Sequence, residues 1–232
     1  MKACVQPPKI ANMYIKQCVR KAIKSNRLGL KNQMNTATYN TKLCDIADIH
    51  SGHPFRGRIE ADDEGDVHVV QVRDTQATGE INQHRIIKTT LTNKKQPDWL
   101  LPGDVLFVAK GAKHYSALVE DLPKQTVCSP HFFLVRIKPK FKGIVTPEFI
   151  CWQLNQLPAQ RYFQTTAEGT LYLSIRRQVL ENVPFVLLPL EKQHQLTAMH
   201  RCAMKEQKVL QQLIINRQQQ LDAIALEVLS AP

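Results

Sequence analysis

From Leu190 to Leu229 the chain runs for forty residues without a proline or a glycine. No ordinary strand reaches that length, and the absence of both helix breakers leaves one long helix. At 1.5 Å per residue it spans about 60 Å. Leu196, Ala203, Leu210, Ile214, Leu221, Ile224 and Val228 recur at three- and four-residue spacing, with polar interruptions at His200, Gln207 and Arg217. The opposite face is rich in Gln, Lys and Arg. A helix with one apolar stripe needs something to cover it. Two arrangements are open: the helix folds back on its own domain, or it enters a coiled coil within or between chains. The length favours the coiled coil, and the seven apolar positions are then its contact residues.

The remainder of the 232 residues allows one globular domain plus an extension. The net charge of +11 is unevenly placed. Residues 1–42 hold +9 with no acidic group, residues 43–189 hold +1, and residues 190–232 hold +1. The basic character therefore belongs to the N-terminal extension, and overall charge says nothing of nucleic-acid binding by the middle. Within the extension, Ile15, Cys18, Val19, Ala22 and Ile23 predict a helix over 10–28 that ends at Gly29. Such a helix fits a DNA-binding arm, a transit peptide or a membrane-surface segment, and Met34 offers an alternative start. No apolar run approaches the roughly 18–20 residues of a membrane helix. Six cysteines without a C-x-x-C pair fit a reducing cytosol, not a disulfide scaffold.

Residues 43–189 read as a mixed α/β domain of short strands and helices. Strands are expected at Val67–Val72, Arg85–Thr90, Asp104–Ala109, Ser116–Val119 and Ser129–Ile137. The acidic run Asp62–Asp66 and Leu101-Pro102-Gly103 are turns. Thr146-Pro147-Glu148 opens a helix: a capping hydroxyl, a proline at the first position, then an acid facing the helix dipole. A second short helix is expected from Ser174 to Asn182, and the prolines of Val183–Pro189 keep that stretch extended.

Catalytic signatures are missing. There is no phosphate-binding G-x-x-x-x-G-K-[ST] and no G-x-G-x-x-G. Gln6-Pro7-Pro8-Lys9 lacks both the acid-or-amide and the aromatic of an amino-methyltransferase loop. Pro97-Asp98 followed by Val108-Ala109-Lys110 puts a valine where a nuclease needs its second metal-binding carboxylate. Cys44, His50 and His53 make half a metal site with no fourth ligand, so no metal is expected. Ser129 near His131 has no glycine-framed elbow.

Several runs fall in a telling order. Leu43-Cys44-Asp45-Ile46-Ala47-Asp48-Ile49-His50-Ser51-Gly52 and Pro54-Phe55-Arg56 come first. Leu101-Pro102-Gly103-Asp104-Val105-Leu106-Phe107-Val108-Ala109-Lys110-Gly111 follows, then Pro147-Glu148-Phe149-Ile150 with Leu154-Asn155. Ala167, Gly169-Thr170 and Ile175 precede Leu180-Glu181-Asn182-Val183-Pro184, Leu187 and Pro189-Leu190-Glu191-Lys192-Gln193. Together they resemble the target-recognition domain and following long helix of a type I restriction–modification specificity subunit, over about 43–229. The resemblance implies a bacterial, cytoplasmic, non-catalytic DNA-binding chain. Its partners would be a modification subunit that methylates adenine with S-adenosylmethionine and a restriction subunit that uses ATP and Mg to translocate and cleave. No cofactor is implied in this chain. A usual member has two recognition domains and two antiparallel helices. This chain has one of each, carries a basic tail the family does not need, and has Leu188 where a second proline is common. Half a subunit points to a homodimer through the long helix, or to a truncated remnant.

On that reading, 1–42 is an extension, 43–189 the recognition domain and 190–232 the dimerisation and spacer helix. A nearly neutral domain can read bases while partners supply most of the phosphate grip. Candidates for DNA contact are Arg56, Arg58, Lys110, Lys113, His114, Tyr115, Tyr172, Arg176 and Arg177, since Arg pairs bidentately with guanine and Tyr packs on a base or sugar. The competing reading is a coiled-coil regulator whose α/β module binds protein. The missing motifs carry one prediction: the purified chain alone shows no nuclease, ATPase or methyltransferase activity. Metal-dependent cleavage of DNA that disappears on a point substitution in this chain is the contrary result.

Overall fold

The computed structural model describes residues 39–91, 96–168 and 173–230. The helix expected over 10–28, and Tyr172 with Gly169-Thr170, lie outside the described residues. Tyr39–Lys42, counted above with the basic extension, forms strand β1, which pairs antiparallel with β9 (Pro184–Leu187). Lys42 leads into the one-turn helix α1 (Leu43–Ile46), where the Asp45 carboxylate accepts from the Thr41 hydroxyl at 2.7 Å and the Lys42 N–H at 3.0 Å. Those two bonds hold the Asp45 carboxyl below its usual range.

The centre is a four-stranded antiparallel sheet in the order β2 (Ala47–Ser51), β8 (Phe132–Ile137), β5 (Val105–Val108), β6 (Ser116–Leu118). A three-stranded sheet holds β3 (Val67–Val70) between β4 (Ile87–Thr89, antiparallel) and β7 (Thr126–Cys128, parallel). All four β5 residues are buried because the strand is covered on both faces. Val105 and Phe107 pack with α2 (Pro147–Leu154), α3 (Leu157–Thr166) and α4 (Arg177–Glu181), where Phe149, Ile150, Leu154, Phe163 and Leu180 are buried. Leu106 and Val108 pack the other way, against Val70, Val119 and Cys128. The central sheet is thus sandwiched between a helical layer and the second sheet, the mixed α/β architecture expected.

Local chemistry sets the strand and helix limits. Asp74 accepts from the Gln71 N–H at 2.8 Å and pulls Val72–Asp74 into a 3-10 turn, so β3 stops at Val70 and not at Val72. Asn82 caps a turn at Gln83–Arg85, which delays β4 to Ile87. A turn closed by the Phe132 N–H on the Ser129 carbonyl delays β8 to Phe132. Gly103, at φ +90°, supplies the left-handed residue of the Leu101–Asp104 turn. Arg136 closes the sandwich edge: its Nε and Nη2 donate to Asp104 at 2.8 and 2.6 Å, and Nη2 also reaches the Trp99 carbonyl at 2.8 Å. Thr146 caps α2 by accepting from the Phe149 N–H at 3.2 Å, with Pro147 at the first position, as the sequence predicts.

The long helix, α5, runs over Leu190–Leu229. It is rooted by one fully buried side chain. Gln193 Oε1 accepts from the Thr146 N–H at 3.0 Å, and its Nε2 donates to the Ile144 and Leu188 carbonyls at 2.8 and 2.6 Å. Leu196 packs half-buried on the helical-layer core. Beyond Met204 every described residue is exposed, so α5 does not fold back on its domain. No helix among the described residues is long and apolar enough to cross a membrane. Gln193→Leu removes three bonds and leaves an N–H and two carbonyls unpaired, which costs about 2–4 kcal/mol. Urea unfolding followed by tryptophan fluorescence, with Trp152 on α2, reads that loss directly.

Candidate nucleic-acid interface

Strand register brings distant loops to one end of the central sheet. Ser51 lies opposite Phe133, Phe132 opposite Val108, and Phe107 opposite Ser116. The end of β2, the start of β8, the end of β5 and the start of β6 therefore share one rim. The loops that leave it are 52–66, 129–131 and 109–115. Glu168 and residues 173–176 join them: Ser174 bridges to both Lys110 and Glu168, and the Ile175 N–H donates to the Ala109 carbonyl at 2.9 Å. His131 stands at the centre of the cluster. Its carbonyl accepts from the Ala109 and Lys110 N–H groups at 2.8 and 3.2 Å, while its side chain is exposed.

The backbone of this rim is tied down tightly. The Gly52 N–H donates to the Phe132 carbonyl at 3.0 Å and the His53 N–H to the Cys128 carbonyl at 2.8 Å. A Cβ on Gly52 would stand 2.0 Å from the Ser129 carbonyl oxygen, so only glycine lets the two loops touch. At the start of β6, Asn155, just after α2, accepts from the Ser116 N–H at 2.7 Å and donates to its carbonyl at 2.9 Å.

Lys110, Lys113 and Arg176 lie on segments tied into the rim, whereas Arg56 and Arg58 lie further along the 52–66 loop, where Phe55 and Ile59 pack on the second sheet with Leu91 and Trp99. Arg56, Arg58, Lys110 and Lys113 are exposed and make no side-chain hydrogen bond or ion pair among the described residues. Arg176, the residue before α4, pairs with Glu168 at 2.6 Å with the two side chains 70% and 52% exposed. Arg177 pairs with Glu181 one turn on at 2.7 Å. Ion pairs this open contribute about 0–1 kcal/mol and are easily exchanged. His114 and Tyr115 face inward. His114 is buried, stacked on Phe107 with centroids 6.3 Å apart, and its Nδ1 is 3.0 Å from the Val108 carbonyl. Tyr115 packs on the second core cluster, and its hydroxyl lies 2.9 Å from the Thr75 hydroxyl and 3.2 Å from the Thr75 carbonyl. These two brace the 109–115 loop from beneath. The helix expected from Ser174 begins only at Arg177, because Ser174 and Ile175 are spent tying the rim together.

The sequence offers His131 only as a neighbour of Ser129, and nothing in it marks the place of His131 on the rim. Ser129 itself is buried at 1% exposure. Burial pushes the Cys128 and Cys151 thiols up to about 12, so neither is a thiolate at neutral pH. His50 lies 3.7 Å from Asp98, and His53 sits edge-on to Phe55 at 5.2 Å. Among the described residues no three His, Cys, Asp or Glu side chains gather as a metal site.

No family model matches the chain, and no curated protein matches it in sequence. Solved structures share its fold. The S subunit of a type I restriction-modification system from M. genitalium is similar with a TM-score of 0.55 at 16% identity, over 87% of this chain and 48% of that one. The HsdS subunit from Thermoanaerobacter tengcongensis gives a TM-score of 0.57 at 18% identity, over 87% and 50%. A chain from work on complex assembly and conformational transition of the type I R-M system gives 0.62 at 14% identity, over 94% and 54%. The fold is that of type I S subunits, and this chain spans about half the length of those it matches.

The division between outward and bracing side chains is measurable. Arg56→Ala and Arg176→Ala leave the unfolding free energy within about 0.5 kcal/mol. His114→Ala and Tyr115→Phe each lower it by about 1–3 kcal/mol, through a lost contact beneath the loop. Denaturant midpoints of the four variants test the assignment.

Proposed function

We propose that the chain is a half-sized DNA-specificity subunit of a type I restriction–modification complex, whose rim of loops reads one half-site. The observation that carries the reading is the S-subunit fold, with the exposed and unpaired Lys110 and Lys113 on a loop held by the backbone ties of one rim. Sequence reading needs side chains held in fixed positions but left free to bond. The backbone ties at Gly52, Ala109, His131 and Ile175 hold the loops, and the side chains of Arg56, Arg58, Lys110 and Lys113 stay free. Arg176 can exchange the exposed Glu168 carboxylate, and Arg177 the half-buried Glu181 carboxylate, for a guanine edge, since a bidentate contact to guanine is worth about 1–3 kcal/mol. Tyr172 belongs to the same proposed surface by sequence position.

Residues 43–189 carry a net charge of only +1, too little for a strong phosphate grip. The remaining affinity comes from partners: a modification subunit that holds S-adenosylmethionine and a restriction subunit that uses ATP and Mg. This chain supplies the address and no chemistry, and it works in the bacterial cytoplasm. Two copies joined through α5 present two identical rims, so the target is palindromic and bipartite. The alternative of a protein-binding regulator gains no support from the fold.

Methylome sequencing of cells that carry this chain with adjacent adenine methyltransferase and translocase genes tests the proposal. The expected target is a bipartite palindrome that disappears when this chain is deleted. Arg176→Ala relaxes the same position in both halves at a cost of about 1–3 kcal/mol of discrimination. Two different half-sites would overturn the homodimer, and methylation unaffected by deletion would overturn the specificity role.

A further inference from the structure

The apolar stripe of α5 has a symmetry that a single chain cannot use. Its layers occur at residues 196, 200, 203, 207, 210, 214, 217, 221, 224 and 228. Past Met204 all of them are exposed, Ile214 by 63% and Val228 by 68%. Two of the layers in this exposed stretch are polar, Gln207 and Arg217, and they lie at equal distances from Gln212. We propose that the two α5 helices of the homodimer read above, antiparallel like the helix pair of the resembled family, lock in one register, with the two-fold axis at Gln212 and Gln207 of each chain set against Arg217 of the other. The proposal rests on the homodimer reading above and fixes its geometry.

In that register apolar layers meet apolar layers and polar meet polar past Met204 except at Ile224, which comes opposite the half-buried His200. Leu210 meets Ile214, Ala203 meets Leu221, His200 meets Ile224 and Leu196 meets Val228. The Arg217 guanidinium can donate to the Gln207 side-chain carbonyl, so the polar layers satisfy each other. A shift by one heptad sets Arg217 and Gln207 against apolar layers or His200, and leaves buried polar groups unpaired. A parallel pair brings Arg217 against Arg217, two like charges at a helix seam. The charge distribution favours the same direction. Arg201, Lys205 and Lys208 outnumber Glu206 in the half of the stripe near the domain, whereas Asp222 and Glu227 are the charged residues after Arg217. Antiparallel pairing lays the acidic end along the basic half, and parallel pairing lays like on like. The overlap of residues 196–228 is about 48 Å long at 1.5 Å per residue.

Paired cysteines read the register. In a Cys202→Ser background, chains with Ala203→Cys and chains with Leu221→Cys are mixed at micromolar concentration and oxidised mildly, and the linked peptides are identified by mass spectrometry. Disulfides need Cα atoms within about 7 Å, so the mixture gives about tenfold more linked dimer than either variant alone. A link formed by Ala203→Cys with itself would overturn the antiparallel direction. A preferred link from Ala203→Cys to Ile214→Cys or Val228→Cys, or no dimer at all, would overturn the register. In the double variant Gln207→Leu with Arg217→Leu the dimer persists, and Ala203→Cys now also links to Ile214→Cys and Val228→Cys. An unchanged single link would show that the polar layers do not set the register. Helix content by circular dichroism confirms that each variant is folded. No DNA or partner subunit is present, so a failed link with a palindromic methylome sinks the register alone. A correct link without directed methylation sinks the DNA reading alone.

Discussion

The buried amide of Gln193 is the joint on which this molecule turns. A helix of forty residues that leaves a domain after its first few turns acts as a lever, and any looseness at its root is magnified along its length. One residue meets that demand by bonding three backbone groups on two segments, 144–146 and Leu188. The Thr146 N–H that it binds belongs to the capping residue of α2, so the long helix is referred to the start of another helix. Two further amides, Gln153 on α2 and Asn155 just after it, act alike. Gln153 accepts from the Val186 N–H at 2.6 Å and donates to its carbonyl at 3.0 Å, which holds β9. Asn155 holds the start of β6. A single eight-residue helix and the residue after it thus fix the relation between an edge strand, the loop rim and the lever.

This arrangement separates two tasks. The rim is rigid because its backbone groups are satisfied by one another, which releases its long side chains from structural duty. The contrast between Lys110 and His114, four residues apart, makes the point: one side chain is exposed and unpaired, the other buried and bonded to Val108. Under the proposed reading, exposed Arg and Lys on a near-neutral domain would bind weakly and so discriminate by fit, not by bulk charge. A more basic domain would hold every sequence more tightly and compress the differences between them.

Much of the fold is legible in the sequence where one physical signal dominates. The limits of α5 follow from the absence of proline and glycine, and the start of α2 from Thr146-Pro147. The buried run Val105–Val108 announces a strand covered on both faces. What is not legible depends on contacts between distant segments. α3 buries only Ala159 and Phe163, so its stripe is too thin to read. β7 has three residues, and its parallel pairing with β3 is set by the fold around it. The bidentate bond between Arg136 and Asp104, and the one between Asn155 and Ser116, join residues more than thirty positions apart, and no local pattern encodes either. For the same reason the basic clusters at 56–58, 110–115 and 176–177 can be chosen from sequence. That His114 and Tyr115 point inward, and that His131 stands among them, requires the strand register.

The polar interruptions of α5 look like defects in a chain that needs a partner. An unbroken apolar stripe would bind more strongly, but it would bind in any register, because each heptad step offers the same contacts. For a tether whose only demand is strength, that ambiguity costs nothing. For a spacer it is decisive, since a slip of one heptad moves the two domains apart or together by about 10.5 Å at 1.5 Å per residue, three base pairs of B-DNA at about 3.4 Å each. In the proposed pairing, Gln207 and Arg217 give up some association energy and in return penalise slipped arrangements. Gln193 fixes the helix to its domain, and under the proposed pairing the Gln207–Arg217 layers would fix it to its partner, so that both serve one end. Only with both is the distance between two rims a property of the sequence.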